Sequence, residues 1–371
     1  MALCDHALTS TILRLVYLKF FQMGITTAIC LILICWALPE VNAETPVPVG
    51  EQNEMLRPPN QDGKPVAVSI AIHVINLADI DEVSERFNLM FYLLARWQDP
   101  RLAFSPRDPA ERFHVFMPKQ IWHPRLEFIN ELGSHSTGDA SVRVSPNGNV
   151  LYMERANGEF STRFRLRRFP FDRQALQVII HPFIGQALGV MLTVDKARTW
   201  ISGEESEYSS LAEWQMMGIK ATDSQASFSK FGPIPEARFQ IMVRRKYRYY
   251  IWKIFVPLLL MVMLSWSVYW IDPKDLGSQV QISVTTILTV IAFAFSISLS
   301  LPKVPYLTFI DAFFLDCLLF VFLTAVEMTT VHVSGRSQRE ELGLRIRRVS
   351  RVAVPAAFVL SNAMIALHYF R

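Results

Sequence analysis

Six residues in the segment 277–301 could handle an ion. Gln281, Thr285, Leu288, Ala292, Phe295 and Leu299 follow one another at steps of four, three, four, three and four. That spacing places them on one face of a helix. The face starts polar and turns apolar, and no charge occurs from Ser278 to Leu301. Amide and hydroxyl oxygens such as those of Gln281 and Thr285 can replace part of an ion's hydration shell. A ring containing Leu288 and Phe295 can expel water and so block a path without a plug. One helix cannot enclose water, so several copies must surround an axis. The same hydroxyls would equally suit a helix packed among other membrane helices, and pattern alone leaves both readings open.

Other reactive groups are sparse. Arg244, Arg245, Lys246 and Arg248 form a basic cluster, and Asp311, Asp316 and Glu327 stand inside an apolar stretch. Intramembrane acids invite a proton-relay reading. Only Asp316 is deep enough for that, and a structural role suits it best. There is no G-x-S-x-G, H-E-x-x-H or phosphate loop, and no Cys/His spacing for zinc. The chain therefore reads as neither an enzyme nor a cofactor carrier. A net charge of +4 over 371 residues demands no nucleic acid.

The elements that must hold these groups divide the chain. Residues 1–43 read as a signal peptide: Arg14 and Lys19 precede an uncharged run that Pro39 ends, with Val41-Asn42-Ala43 as the cleavage site. A retained helix is the alternative. Residues 44–65 are a flexible lead-in rich in Pro, Asn, Gln and Glu. From 66 to 248 the period is two, as in Val66, Val68, Ile70, Ile72 and in Phe87, Leu89, Phe91, Leu93. Ser145-Pro146-Asn147-Gly148-Asn149 between two apolar runs signals a hairpin. This predicts an exported antiparallel β-sandwich. Cys4, Cys30 and Cys35 lie in the leader and Cys317 in an apolar span, so the sandwich has no disulfide to rely on. Residues 249–371 then hold four apolar spans, about 251–271, 278–301, 308–331 and 352–370, each near the ~20 residues that cross a bilayer. The six arginines between 332 and 351 keep that short loop cytoplasmic, which puts the sandwich and the C-terminus outside.

Several motifs carry a resemblance. Trp97-Gln98-Asp99-Pro100-Arg101-Leu102-Ala103-Phe104, Trp122-His123-Pro124-Arg125, Phe169-Pro170-Phe171-Asp172, Pro257 in the first span, and Leu301-Pro302-Lys303-Val304-Pro305-Tyr306 occur in this order across essentially the whole exported chain. In that order the chain resembles the pentameric ligand-gated ion channels, the Cys-loop receptor superfamily. It looks closest to bacterial members without the signature disulfide, whose cysteines would fall at Thr162 and Leu176. The resemblance implies a homopentamer in a bacterial plasma (inner) membrane. A small-molecule agonist, an amine or a proton, would bind between sandwiches and open a pore lined by the second span. The partners implied are permeant ions and the lipid bilayer. A secondary transporter and a non-conducting receptor are the alternatives; the chain shows none of the repeats a transporter would have.

The resemblance also assigns residues. Glu82, Asp172 and Arg245, with Pro302, Lys303 and Pro305 of the linker, would couple binding to the gate. Arg245 could instead meet lipid headgroups, the reading that suits Lys246 and Arg248. Phe183, His181, Arg96 and one of Phe228, Phe231 and Phe239 would line the agonist site. His181 lies two residues before Phe183, which predicts a shared strand face; it reads either as a partly exposed strand histidine or as an acid sensor. Asp272, Asp275 and Ser278 would form the cytoplasmic mouth; Asp272 and Asp275 would favour cations, with Lys274 between them, while Ser278 stands where the family's cation channels usually carry an acid.

Overall fold

A computed structural model describes residues 54–59, 63–108, 110–133, 135–201, 211–228, 232–298, 304–336 and 340–371. The leader lies outside these, and of the lead-in a 3-10 turn forms at Glu54–Leu56. Eleven strands follow among the described residues: β1 (Val66–Asp81), β2 (Arg86–Gln98), β3 (His114–Phe116), β4 (Leu126–Phe128), β5 (Ser136–Val144), β6 (Asn149–Ser161), β7 (Arg173–Pro182), β8 (Val190–Val194), β9 (Trp200–Ile201), β10 (Trp214–Phe228) and β11 (Gly232–Arg245).

The strands form two layers. One sheet runs β3-β5-β6-β2-β1-β8, with β9 beside β1, and the other runs β10-β11-β7-β4. The period of two is the cause: in β2 every second residue from Phe87 to Trp97 is buried. Phe87, Phe91 and Phe160 from one sheet meet Phe239 and Leu176 from the other in a fully buried core. The sandwich is not wholly antiparallel. β8 and β9 pair parallel with β1. After β7 the chain leaves its own sheet through the 3-10 segment Ile184–Gly189 and joins the edge of the other sheet, a crossover that delivers β8 alongside β1 in the same direction.

The β5–β6 hairpin forms as the turn residues require. Ser145 N donates to Asn149 O (2.9 Å), and Gly148 has φ +79°. A Cβ at Gly148 would lie 2.6 Å from Asp99 O, so the position needs glycine for conformation and for space. Where the family's disulfide would be, Thr162 is buried and its hydroxyl donates to Ala175 O (3.5 Å) beside buried Leu176.

Among the described residues, four helices long and apolar enough to cross a membrane follow: α1 (Arg248–Trp270), α2 (Leu276–Ser298), α3 (Phe309–Arg336) and α4 (Glu340–Phe370). In α1, Ile251–Phe255 form a π turn just before Pro257. Proline lacks an N–H and displaces the carbonyl one turn back, which a widened turn accommodates. The predicted cytoplasmic loop 332–351 is largely helical instead: α3 extends to Arg336 and α4 begins at Glu340. The reason lies in the partners of its arginines. Arg347 is buried, donating to Ile271 O (2.8 Å) and Gln279 Oε1 (2.7 Å) and facing Glu327 across 3.7 Å. Arg351 donates to Tyr269 O (3.0 Å). The segment thus packs on the inner ends of α1–α3 rather than looping free.

The other intramembrane acids are also held. Asp311 accepts from Thr308 N (2.9 Å) and Oγ1 (2.6 Å) and caps α3. Asp316 is buried and accepts from Ser361 Oγ (2.6 Å) and Asn362 Nδ2 (2.7 Å), pinning α4 to α3. Asp316→Ala strands two donors in that seam, at about 1–3 kcal/mol. We expect a lower melting temperature for the detergent-purified protein, with the pH response of its current unchanged. An altered pH response with unchanged melting would instead favour the relay role.

Candidate functional site: pore face, junction and pocket

On α2, Gln279, Ser283, Thr286 and Val290 are buried against the rest of the subunit. The opposite face carries Gln281, Thr285, Leu288, Ala292 and Phe295, all exposed. Five of the six stripe residues therefore lie on the face this subunit leaves uncovered, and Leu299 lies outside the described residues. Leu288 is 65% and Phe295 70% exposed, large apolar side chains that one subunit leaves mostly uncovered. The hydroxyls divide in the same way: Thr286 bonds back to Ile282 O and Ser283 O on the packed face, whereas Thr285 faces out. At the inner end, Asp275 accepts from Ser278 N (3.2 Å) and caps α2. Its hydrogen bonds with Ser278 hold the carboxyl below the usual carboxylate range, so it stays charged. Asp272 and Ser278 are exposed beside it.

The junction between sandwich and helices is built on Arg245. It ends β11, three residues before α1, and is 2% exposed. Its Nε donates to Asp172 Oδ1 (2.9 Å), its Nη2 reaches Glu82 Oε1 (2.8 Å), and its Nη1 lies 3.6 Å from Glu213 Oε2. The guanidinium stacks over Trp214 (4.1 Å) and Phe169 (4.7 Å). Burial opposes its charge, but Asp172 and Glu82 outweigh that and raise its pKa. Beside Asp172, the Phe171 ring lies 5.2–5.7 Å from Tyr247, Phe309 and Phe370. Leu166 N donates to Tyr306 Oη (3.1 Å) in the α2–α3 linker. Pro305 of that linker is exposed, and Pro302 and Lys303 lie outside the described residues. Glu82, Asp172 and Arg245 thus meet in one ion-pair cluster. Glu213, Trp214 and the Phe171 cluster were not foreseen, because no spacing in the sequence brings residues 171, 213 and 370 together.

The agonist-site residues scatter more. Phe239 is fully buried in the sandwich core, so it cannot line a surface pocket. Phe228 ends β10 with its side chain outside the described residues, as is all of Phe231. His181 and Phe183 do not share a strand face. β7 stops at Pro182, Phe183 starts a 3-10 turn at 36% exposure, and His181 is buried at 4%. Arg125 takes up one face of the Phe183 ring (4.7 Å). His181 Nε2 lies 3.0 Å from Glu236 Oε2, and Arg238 and Ser224 donate to Glu236 Oε1. Arg96 opens instead into a cavity of about 640 Å³ on the other sheet, with Arg112, Arg143 and Arg198.

Burial pushes the Glu236 carboxyl up, but the donors from His181, Arg238 and Ser224 bring it below its ordinary value. Its folded-state pKa is then lower than its unfolded one. It contributes stability above about pH 4.3, lost as pH falls through the lowered folded value. Glu236→Gln should lower the melting temperature at neutral pH and flatten its fall as pH drops below about 4.3. An equally steep acid limb in the variant would count against the cluster's contribution.

Residues 49–247 match the neurotransmitter-gated ion-channel ligand binding domain, and residues 254–364 match the neurotransmitter-gated ion-channel transmembrane region. The chain is 28% identical over 324 residues to a proton-gated ion channel of Gloeobacter violaceus, covering 87% of this chain and 89% of that one. It is 30% identical over 319 residues to the human gamma-aminobutyric acid receptor subunit rho-3, covering 82% of this chain and 67% of that one. With a sandwich followed by four spans, an uncovered polar-to-apolar face on the second and matches along both parts, the chain belongs to the family of neurotransmitter-gated, pentameric ligand-gated ion channels.

Proposed function

We propose that five copies of this chain surround an axis lined by α2, and that an agonist bound between sandwiches opens the path for monovalent cations. The chain is a ligand-gated ion channel subunit in a multi-pass membrane setting; the stoichiometry, the ion and the lining residues are our reading. The observation that carries it is the division of α2 into a packed face and an uncovered stripe of Gln281, Thr285, Leu288, Ala292 and Phe295. Gln281 and Thr285 stand near the selectivity end, and Leu288 to Phe295 form the gate. Asp275, kept charged by Ser278, and Asp272 supply an acidic ring at the inner mouth, which supports cations.

Recording from purified protein in a planar bilayer tests this. Unitary currents whose reversal follows potassium are expected, and a reversal that follows chloride would reject the cation reading. The absence of current under any agonist would favour the non-conducting receptor. For His181 the expected result of His181→Ala is a shifted pH dependence of the current, because Glu236 loses a buried donor. An unchanged profile would remove His181 from the gating site.

A further inference from the structure

We infer that the cavity around Arg96 is a binding site for a small anion with two or more carboxylate or phosphate groups, and that this anion is a ligand of the channel. The inference deepens the agonist-site reading of Arg96 and rests on it.

Sheet register builds the site. Arg143 on β5 pairs with Leu151 on β6, and Leu151 pairs with Arg96 on β2. The three side chains therefore form one cross-strand row. They point away from the sandwich core, since their neighbours Val142, Val150 and Trp97 are buried inward. Two strand spacings put the Arg96 and Arg143 backbones about 10 Å apart, a span that a compact di- or tricarboxylate bridges between two long side chains. Arg112 and Phe113 overhang from the segment before β3, and Arg198 enters from the segment after β8. The Phe113 ring holds the Arg143 guanidinium at 5.1 Å, which fixes a flexible charge by cation–π contact.

Most of this charge has no partner among the described residues. Among the described lining residues there is no carboxylate. Among the described residues, Arg96, Arg112 and Arg143 make no ion pair, while Arg198 has Asp195 (3.0 Å). Arg96 Nε is buried without a hydrogen-bond partner. Burial and the nearby Arg198 both disfavour the Arg96 charge, with Asp195 only partly offsetting them. Guanidinium forks with free donors match carboxylate and phosphate oxygens. The same field repels an ammonium group. Phe183, the aromatic that would have received an amine, already has Arg125 on its face.

Titration calorimetry of the full-length protein in detergent, with citrate, inorganic phosphate and choline as separate probes, tests the site without needing current. Citrate binding that weakens with added salt is expected, with no heat from choline. Arg96→Ala and Arg143→Ala should each weaken citrate about tenfold or more, the usual scale for losing one charge-assisted bond. Arg143 is exposed, so its variant folds even if the partly buried Arg96 does not tolerate alanine. Citrate binding unchanged in both variants, or choline binding that these arginines do not oppose, would overturn the inference. Phosphate in place of citrate, still dependent on both arginines, would support it with phosphate esters as the ligand. Citrate binding that evokes no current would leave the site standing and remove the anion's role as the agonist that opens the pore.

Discussion

Replacing Arg245 by alanine should abolish agonist-evoked current while the protein still reaches the membrane surface. The side chain is 2% exposed and Asp172 1%, so the pair has no water to fall back on. Removing one partner of a buried ion pair typically costs about 3–5 kcal/mol, since the remaining charge stays buried. Asp172 would keep only Gln174 Nε2 (2.6 Å) as a side-chain donor, and Glu82 would face it without a cation between them. That penalty falls at one place, where the β1–β2 turn, the loop before β7 and the end of β11 converge above α1. Phe87, Phe91 and Phe239 of the sandwich core are not among the groups the guanidinium touches, although the core runs on to Phe169 and Trp214, which the guanidinium does touch. Folding is therefore expected to survive, and the transmission of a sandwich movement to the helices is expected to fail. Arg245→Lys separates charge from geometry. Lysine keeps the charge but lacks the fork that reaches Asp172 and Glu82 together, so an intermediate loss is expected. The measurement is surface biotinylation beside agonist-evoked current. Wild-type currents from Arg245→Ala would sink the coupling role.

The junction also shows where reading a sequence stops. Asp172 and Arg245 were identifiable because a short motif or a cluster at a boundary marks each. Glu213 and Trp214 follow a stretch with no motif and reach Arg245 only through the register of β10 on β11, in which Trp214 pairs with Arg245. Periodicity showed the strands and spans well, because alternation and length are local properties. It did not show that β8 would join β1 in parallel, since that depends on which sheet edge a crossover reaches. The same limit explains the arginines of 332–351. A charge count gives the side of the membrane, whereas helix or loop depends on Glu327, Gln279 and the Ile271 carbonyl receiving Arg347. Phe239 failed as a ligand residue for the opposite reason: its own alternation with Ile241 and Val243 already placed it in the core, and the family likeness overrode that local signal.

Leu288→Ser should hold the channel open without agonist. Leu288 lies on the uncovered stripe at 65% exposure in one subunit, so most of its side chain has no shield there. In a fivefold ring the closed state would gather five such leucines around a dry constriction, and opening would wet them. Each buried methylene favours the dry state by roughly 0.8 kcal/mol. Even one per subunit gives about 4 kcal/mol over five copies, close to a thousandfold in the closed-to-open ratio at about 1.4 kcal/mol per tenfold. Serine removes that preference and adds a hydroxyl that water can bond. Thr285, one turn inward, shows that the helix already tolerates a hydroxyl on this face. Leak current in cells expressing Leu288→Ser, blocked by a large impermeant cation, is the expected reading. Phe295→Ser, two turns outward, should act in the same direction if both rings dewet, and Ser283→Leu on the packed face should disturb packing instead. A silent Leu288→Ser channel that still opens with agonist at the wild-type concentration would show that the constriction lies elsewhere. Phe295 would then carry the gate, because it is the other large apolar residue the stripe leaves uncovered.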